Sequence, residues 1–150
     1  MSAETSTASA LNLGGANPVF RVESVRAAVD YYVTRLGFHR NWGDDLFASV
    51  SRDKCGIFLC EGDQGHPGTW VWIGVNDAVA LEAEFRANGA KIRHPPTNYP
   101  WALEMQVEDL DGNVLRFGSD PIRGQPFGEW LDMNGRAWPA PASWTDIVCE

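Results

Sequence analysis

A strand, a helix cap, an apolar helical stripe and a glycine stop follow one another twice in this sequence, 53 positions apart. In the first pass the extended run Val19–Val22 leads to Ser24, a residue suited to cap a helix. Val25, Ala28, Val29, Tyr32 and Leu36 then recur at helical spacing before Gly37. In the second, Trp70–Val75 leads to Asp77, Ala78, Leu81 and Phe85 follow as a stripe, and Gly89 ends the helix. Laying Val22–Ser24 over Val75–Asp77 puts Tyr32 on Phe85 and Gly37 one position from Gly89. Three extended runs come next in each case, at 39–42, 47–51 and 56–61 and at 91–93, 103–108 and 114–117. Between the last two, Asp109-Leu110-Asp111-Gly112-Asn113 has the composition of a hairpin turn. Cap, stripe and stop recurring together mark an internal duplication rather than a chance likeness. Two βαβββ units, at about 17–61 and 69–121, predict an α+β fold. Its curved antiparallel sheet carries helices on one face and leaves the other to form a cleft.

A chain of 150 residues with 44% apolar and 21% charged residues is long enough for one buried core and too apolar for wholesale disorder. The net charge of −8 repels phosphate backbones and anionic lipid, so nucleic acid is not an expected partner. Runs such as Trp70–Ile73 are far too short to cross a bilayer, and the first sixteen residues lack the pattern of a secretory signal, which points to the cytoplasm. Three cysteines, an odd number, do not suggest a disulfide framework, and no Cys or His spacing resembles a zinc site. Residues 1–16, rich in Ser, Thr, Ala and Gly, read as a flexible arm. At the other end, 122–150 holds Trp130, Trp138 and Trp144, which are costly to leave in water, so this extension is expected to pack on the domain or on a partner subunit.

Alternation along the strands assigns side chains to the two faces. Val71, Ile73 and Val75 suit the helix-covered side, which sends Trp70, Trp72 and Gly74 to the cleft. By the same rule Leu115 and Phe117 leave Arg116 on the cleft face, and Ile57 and Leu59 leave Phe58 and Cys60. The result is an aromatic cleft with one cation. No nucleophile motif or phosphate loop is present, and Asp109, Asp111 and Asn113 lack the rest of a calcium loop, so they read as a turn. Glu61, Glu104 and Glu108 read most simply as solvated strand-edge charges, with pairing to a cationic ligand as the alternative for one that faces the cleft. Arg116 reads as binding an anionic part of a ligand, pairing with Glu104 or Glu108, or bracing the sheet. The stretch Pro95–Trp101 reads either as a proline-stiffened connector or as a flap presenting Tyr99 and Trp101 to the cleft.

The segments Asn-Pro-Val-Phe-Arg-Val-Glu-Ser-Val (17–25), Val-Asp-Tyr-Tyr-Val-Thr-Arg-Leu-Gly-Phe (29–38) and Val-Glu-Asp-Leu-Asp-Gly-Asn-Val-Leu-Arg-Phe-Gly (107–118) resemble the glyoxalase/bleomycin resistance/dioxygenase group, the vicinal oxygen chelate superfamily. The resemblance spans about 17–121. It implies paired βαβββ modules around a cleft, often in a homodimer, and it leaves the chemistry open between lyases, dioxygenases, epimerases and metal-free drug binders. The positions that hold the metal in the enzymes fall here on Asn17, Phe58, Trp70 and Arg116, none a good divalent-metal ligand. The ending Leu-Arg-Phe-Gly is similar to the bleomycin-resistance branch. That resemblance implies a cofactor-free, metal-free homodimer that confers antibiotic resistance by sequestering a bleomycin-like or other cationic or aromatic molecule. The expected ligand-binding residues are Asn17, Phe58, Trp70, Trp72, Tyr99, Trp101 and Arg116. A metal-dependent glyoxalase-like lyase, isomerase or extradiol dioxygenase is the alternative.

Overall fold

The structure, a computed structural model, describes residues 10–140, so most of the N-terminal arm, together with Trp144, lies outside the described residues. The first module comprises β1 (Val19–Arg21), α1 (Val25–Thr34), β2 (His39–Gly43), β3 (Phe47–Arg52) and β4 (Cys55–Cys60). The second comprises β5 (Trp70–Gly74), α2 (Ala78–Ala87), β6 (Lys91–Asn98), β7 (Leu103–Glu108) and β8 (Val114–Ser119), and a small hairpin, β9 (Glu129–Leu131) and β10 (Ala137–Pro139), follows it. The sheet orders are β1-β4-β3-β2 and β5-β8-β7-β6. In both, three strands form an antiparallel meander and the first strand of the module joins its last in parallel. Val19 pairs with Phe58 and Trp72 with Arg116, so Phe58 and Arg116 hold the same place in the two modules. The duplication read from the sequence is therefore a duplication of topology.

Both helices begin and end as their sequences direct. Ser24 Oγ accepts the N–H of Ala27 at 3.1 Å, and the Asp77 carboxylate accepts that of Ala80 at 3.0 Å. Gly37 and Gly89 take φ of +75° and +77°, the left-handed conformation that ends a helix at little cost only for glycine. At Gly37 the space is also limited, because an added Cβ would lie 2.8 Å from the Arg52 guanidinium.

The helix-side residues of the two sheets form one shared core. Phe20, Ile57, Leu59 and Tyr32 of the first module belong to the same buried cluster as Phe85, Met105, Leu115 and Phe117 of the second. Polar groups tie the halves together. Tyr32 donates its hydroxyl to Asp109 Oδ2 at 2.9 Å, and Tyr31 donates to the Glu108 carbonyl at 2.9 Å. Asp109 also accepts from Asn113 Nδ2 and from the backbone N–H groups of Asp111 and Asn113. The hairpin turn is thus a buried connector between modules. Burial pushes the Asp109 carboxyl above its ordinary value, against the pull of these donors, and burial likewise pushes the Tyr32 phenol up. Near the pseudo-equivalent turn, Arg52 makes a bidentate pair with Glu84 of α2 at 2.6 and 2.9 Å.

One expectation is corrected. The stretch 95–98 is not loop, because β6 continues to Asn98 with Pro95 and Pro96 inside it. Proline gives no N–H to a ladder, and β6 accommodates two because it is an edge strand whose register shifts twice against β7. Beyond β8 the chain is held to the second module by Asn98, whose side chain donates to the Ile122 and Gln125 carbonyls and accepts from the Ile122 N–H. Tyr32→Phe removes one buried bond between modules and leaves an Asp109 lone pair short of a donor. It is expected to lower stability by about 1–3 kcal/mol in urea denaturation, with the fold retained by circular dichroism.

Candidate functional site

On the face of the second sheet turned away from the core, a single carboxylate collects four donors. Glu104 Oε1 accepts Trp72 Nε1 at 3.1 Å, Trp101 Nε1 at 2.9 Å and Arg116 Nη2 at 3.1 Å, and Oε2 accepts Arg116 Nε at 2.6 Å. The Glu104 side chain is 4% exposed. A carboxylate so buried would be costly without a paired cation, and this one has a guanidinium and two indole N–H groups. Strand geometry sets the cluster: Trp72 and Arg116 are register partners on β5 and β8, and Glu104 lies on β7 opposite Gly118. The Trp72 ring lies across Gly118, where a Cβ would sit 2.6 Å from its Cζ2. Glycine at 118 is therefore what lets the indole lie on the sheet. Trp101 stacks on Tyr99 with centroids 4.8 Å apart and planes 6° from parallel.

Beside this cluster, the Arg93 guanidinium stands 5.3 Å from the Trp70 ring centroid. Arg93 also donates to Gln106 Oε1 and to the Asp132 carbonyl, while Gln106 Nε2 donates to the Leu131 carbonyl at 2.9 Å. These bonds lay the β9–β10 hairpin along the β6 side of the face. Within the hairpin, Trp130 stacks on Trp138 at 6.4 Å.

The equivalent face of the first sheet is apolar at its centre. Trp42, Phe47 and Phe58 form a triangle with centroids 5.5–6.0 Å apart, and Trp42 is 51% exposed. Ser49 and Ser51 are joined through Asn41, which donates to Ser49 Oγ and accepts from Ser51 Oγ, both at 3.1 Å. Because the two modules share their core through the helix sides, the aromatic triangle and the Glu104 cluster lie on outward sides of the molecule and do not face one another. A separate cavity of about 810 Å³ opens between the modules on the helix side of β5, against Ile73, Val75, Leu81 and Phe85. The first module's short Asp53–Lys54 turn borders it opposite β5. The longer turn of the second does cover β1, where Asp111 accepts the Glu23 N–H and Asn113 donates to the Arg21 carbonyl.

The structure gathers Trp70, Trp72, Trp101 and Arg116 on one face and puts Phe58 on the other module's face. Asn17 precedes β1, with its Oδ1 directly over Gly56. Two expectations are corrected. Glu104 is not a solvated edge charge but the buried centre of the cluster. Tyr99 is not presented to solvent: it is 2% exposed and donates its hydroxyl to the Glu129 carbonyl, and burial pushes its phenol up to about 12. Sequence reasoning missed Trp42 and Phe47, although Phe47, Ser49 and Ser51 alternate with the buried Ala48 and Val50 and so share the face of Phe58. It also missed Gln106 and Arg93, whose roles come from a hairpin distant in sequence.

The four positions that match metal ligands do not suit a divalent cation. Phe58 and Trp70 offer no lone pair, Arg116 brings a positive charge already bound to Glu104, and Asn17 has no carboxylate beside it in the described contacts. Among the described residues, no group of three or more His, Cys, Asp or Glu side chains could hold a metal ion. Burial raises the Cys55 thiol above its ordinary value, which works against a thiolate nucleophile there.

Paired βαβββ modules are a fold class, and comparison with known proteins supplies the superfamily. The family model of the Glyoxalase/Bleomycin resistance protein/Dioxygenase superfamily matches residues 16–117, and the chain belongs to this superfamily. It is similar to the bleomycin-binding protein of bleomycin-producing Streptomyces verticillus, solved with copper(II)-bleomycin. Identity is 28% and the TM-score 0.64, over 73% of this chain and 98% of that one. It is also similar in fold to TnmS3, an antibiotic-binding protein from Streptomyces sp. CB03234, at 20% identity and a TM-score of 0.64, over 75% of this chain and 99% of that one. No curated protein sequence matches the chain. The family match, residues 16–117, ends before the β9–β10 hairpin.

Gly118→Ala tests how the cluster is built. Its methyl group is expected to lift Trp72 off the sheet and break the bond to Glu104, shifting tryptophan emission to longer wavelength and lowering stability by about 1–3 kcal/mol.

Proposed function

We propose that this protein binds and sequesters an aromatic small molecule, as a metal-free homodimer of the bleomycin-resistance type. The observation that carries the reading is the pair of outward aromatic faces. Trp42 and Trp72 are about half exposed, and an indole left in water is a large unburied area. Each face is half of a cleft. Bringing the Trp42–Phe47–Phe58 face of one copy against the Trp70–Trp72–Arg116 face of another encloses both, and a two-fold axis does so twice. The similarity to a bleomycin-binding protein and an antibiotic-binding protein supports a drug-like occupant. The donor set at the four ligand positions supports binding without metal chemistry. No helix of the described residues is long and apolar enough to cross a membrane.

Sedimentation and fluorescence together test this. A dimer in sedimentation velocity, with saturable tryptophan quenching by metal-free or copper-loaded bleomycin near one molecule per protomer, is the expected result. Trp72→Ala is expected to weaken that binding on the order of tenfold, the usual scale for losing a stacked aromatic contact. A monomer that binds nothing, or stoichiometric transition metal in the purified protein, would overturn the reading.

A further inference from the structure

We infer that the second-module face selects ligands that carry an anionic or strongly accepting group beside a planar ring, and that Arg116 is the residue that reads it. This deepens the binding function proposed above and rests on it. The argument starts from what the carboxylates of that face have left to give. Both oxygens of Glu104 are occupied, by two indole N–H groups and two guanidinium N–H groups. Glu108 is taken by Lys91 at 2.6 Å and Arg93 at 3.6 Å. The acidic groups that β7 places on this face are therefore engaged with the protein's own cations, three of them against two carboxylates.

Arg116 is in the opposite position. A guanidinium carries five N–H groups in a fixed plane, and Glu104 takes two. Among the described residues no acceptor takes the other three, and the side chain is 32% exposed. Glu104 holds the inner edge so that the plane cannot rotate, which leaves a preorganised outer edge. Fixed forks of this kind match carboxylates and other paired acceptors, and little rotamer entropy remains to be lost on binding. Trp72, the register partner of Arg116 and about half exposed, sets its indole beside that edge, whereas the Trp70 ring already carries the Arg93 guanidinium. A ring can lie on an indole while its acceptor meets the guanidinium. Phe58, at the equivalent place in the first module, offers only apolar surface. The overall charge of −8 attracts cations at a distance, but that field is screened within about 8 Å at physiological salt and does not act at contact.

The test uses the intact protein and three naphthyl probes of one shape: naphthoate, naphthalenemethanol and naphthylmethylammonium. Calorimetric titration at physiological salt is expected to show naphthoate binding on the order of tenfold more tightly than the other two. Arg116→Gln is expected to erase the difference, while Arg116→Lys keeps part of it because charge remains without the fork. The wild-type series stands even where a variant fails to fold. Equal affinity for the three probes, or preference for the ammonium, overturns the selectivity while leaving an aromatic binding face. A naphthoate preference that survives Arg116→Gln overturns the role of Arg116. No binding by any probe overturns both this inference and the function it rests on.

Discussion

The helix-side core shared by the two modules determines most of what the surface can do. Each βαβββ unit has one apolar sheet face and one apolar helix stripe, and a unit of some fifty residues is too small to satisfy both alone. Here the two units cover each other on the helix side, with Phe20 and Leu59 in the same cluster as Phe85 and Leu115. Tyr32 and Asp109 make the arrangement specific, because their bond forms only when the hairpin turn of one module meets the helix of the other. Once that side is closed, the remaining sheet faces must look outward. An outward β-sheet face in a monomer is ordinarily polar, yet these carry Trp42, Phe47, Phe58, Trp70 and Trp72. The core thus explains why aromatic surface is left outward on both modules, and, on the function proposed above, why one copy supplies only halves of a cleft.

The two modules are alike in topology and unlike in the details that give each a task. A five-residue turn, Asp109 to Asn113, reaches across the neighbour and buries β1, while the two-residue Asp53–Lys54 turn leaves β5 partly open. The same divergence appears on the outer faces. At one structural position the first module has Phe58, which completes a neutral aromatic triangle, and the second has Arg116, which needs Glu104. Placing a cation on a sheet face required a buried carboxylate, and the carboxylate in turn recruited Trp72 and Trp101 as donors. Gly118 is the steric consequence, since the indole occupies the volume of a side chain there.

Local signals carried the fold in the sequence. Ser24, Asp77, Gly37 and Gly89 act through neighbours three to five residues away, so helix limits and the repeat were readable without knowing what lies across the core. Strand alternation also placed Trp72, Arg116 and Phe58 on the outer faces, because it depends only on the pleat. The Arg116–Glu104 pair was among the readings of the sequence, but the burial of Glu104 was not readable in this way. A glutamate in a strand looks solvated until Trp72, thirty-two residues earlier, is known to lie over Gly118 beside it. Tyr99 failed for a related reason, since its burial is due to Trp101 and to the Glu129 carbonyl of the C-terminal extension. Such contacts belong to tertiary packing and leave no period in the chain.

The extension shows how a shared fold acquires a particular face. Arg93 and Gln106 point away from the core and would compete for ligand or water on a bare sheet. Instead Arg93 spans Gln106, Glu108, the Asp132 carbonyl and the Trp70 ring, and Gln106 secures Leu131. The hairpin therefore spends the polar groups nearest β6 on itself and leaves those nearest β8 outward. Of Arg93 and Arg116 on this face, the first is occupied by the C-terminal hairpin and the second keeps its outer N–H groups. Among the described residues the hairpin leaves the β8 side of the face outward beside Trp72, where the guanidinium of Arg116 keeps N–H groups that no acceptor takes.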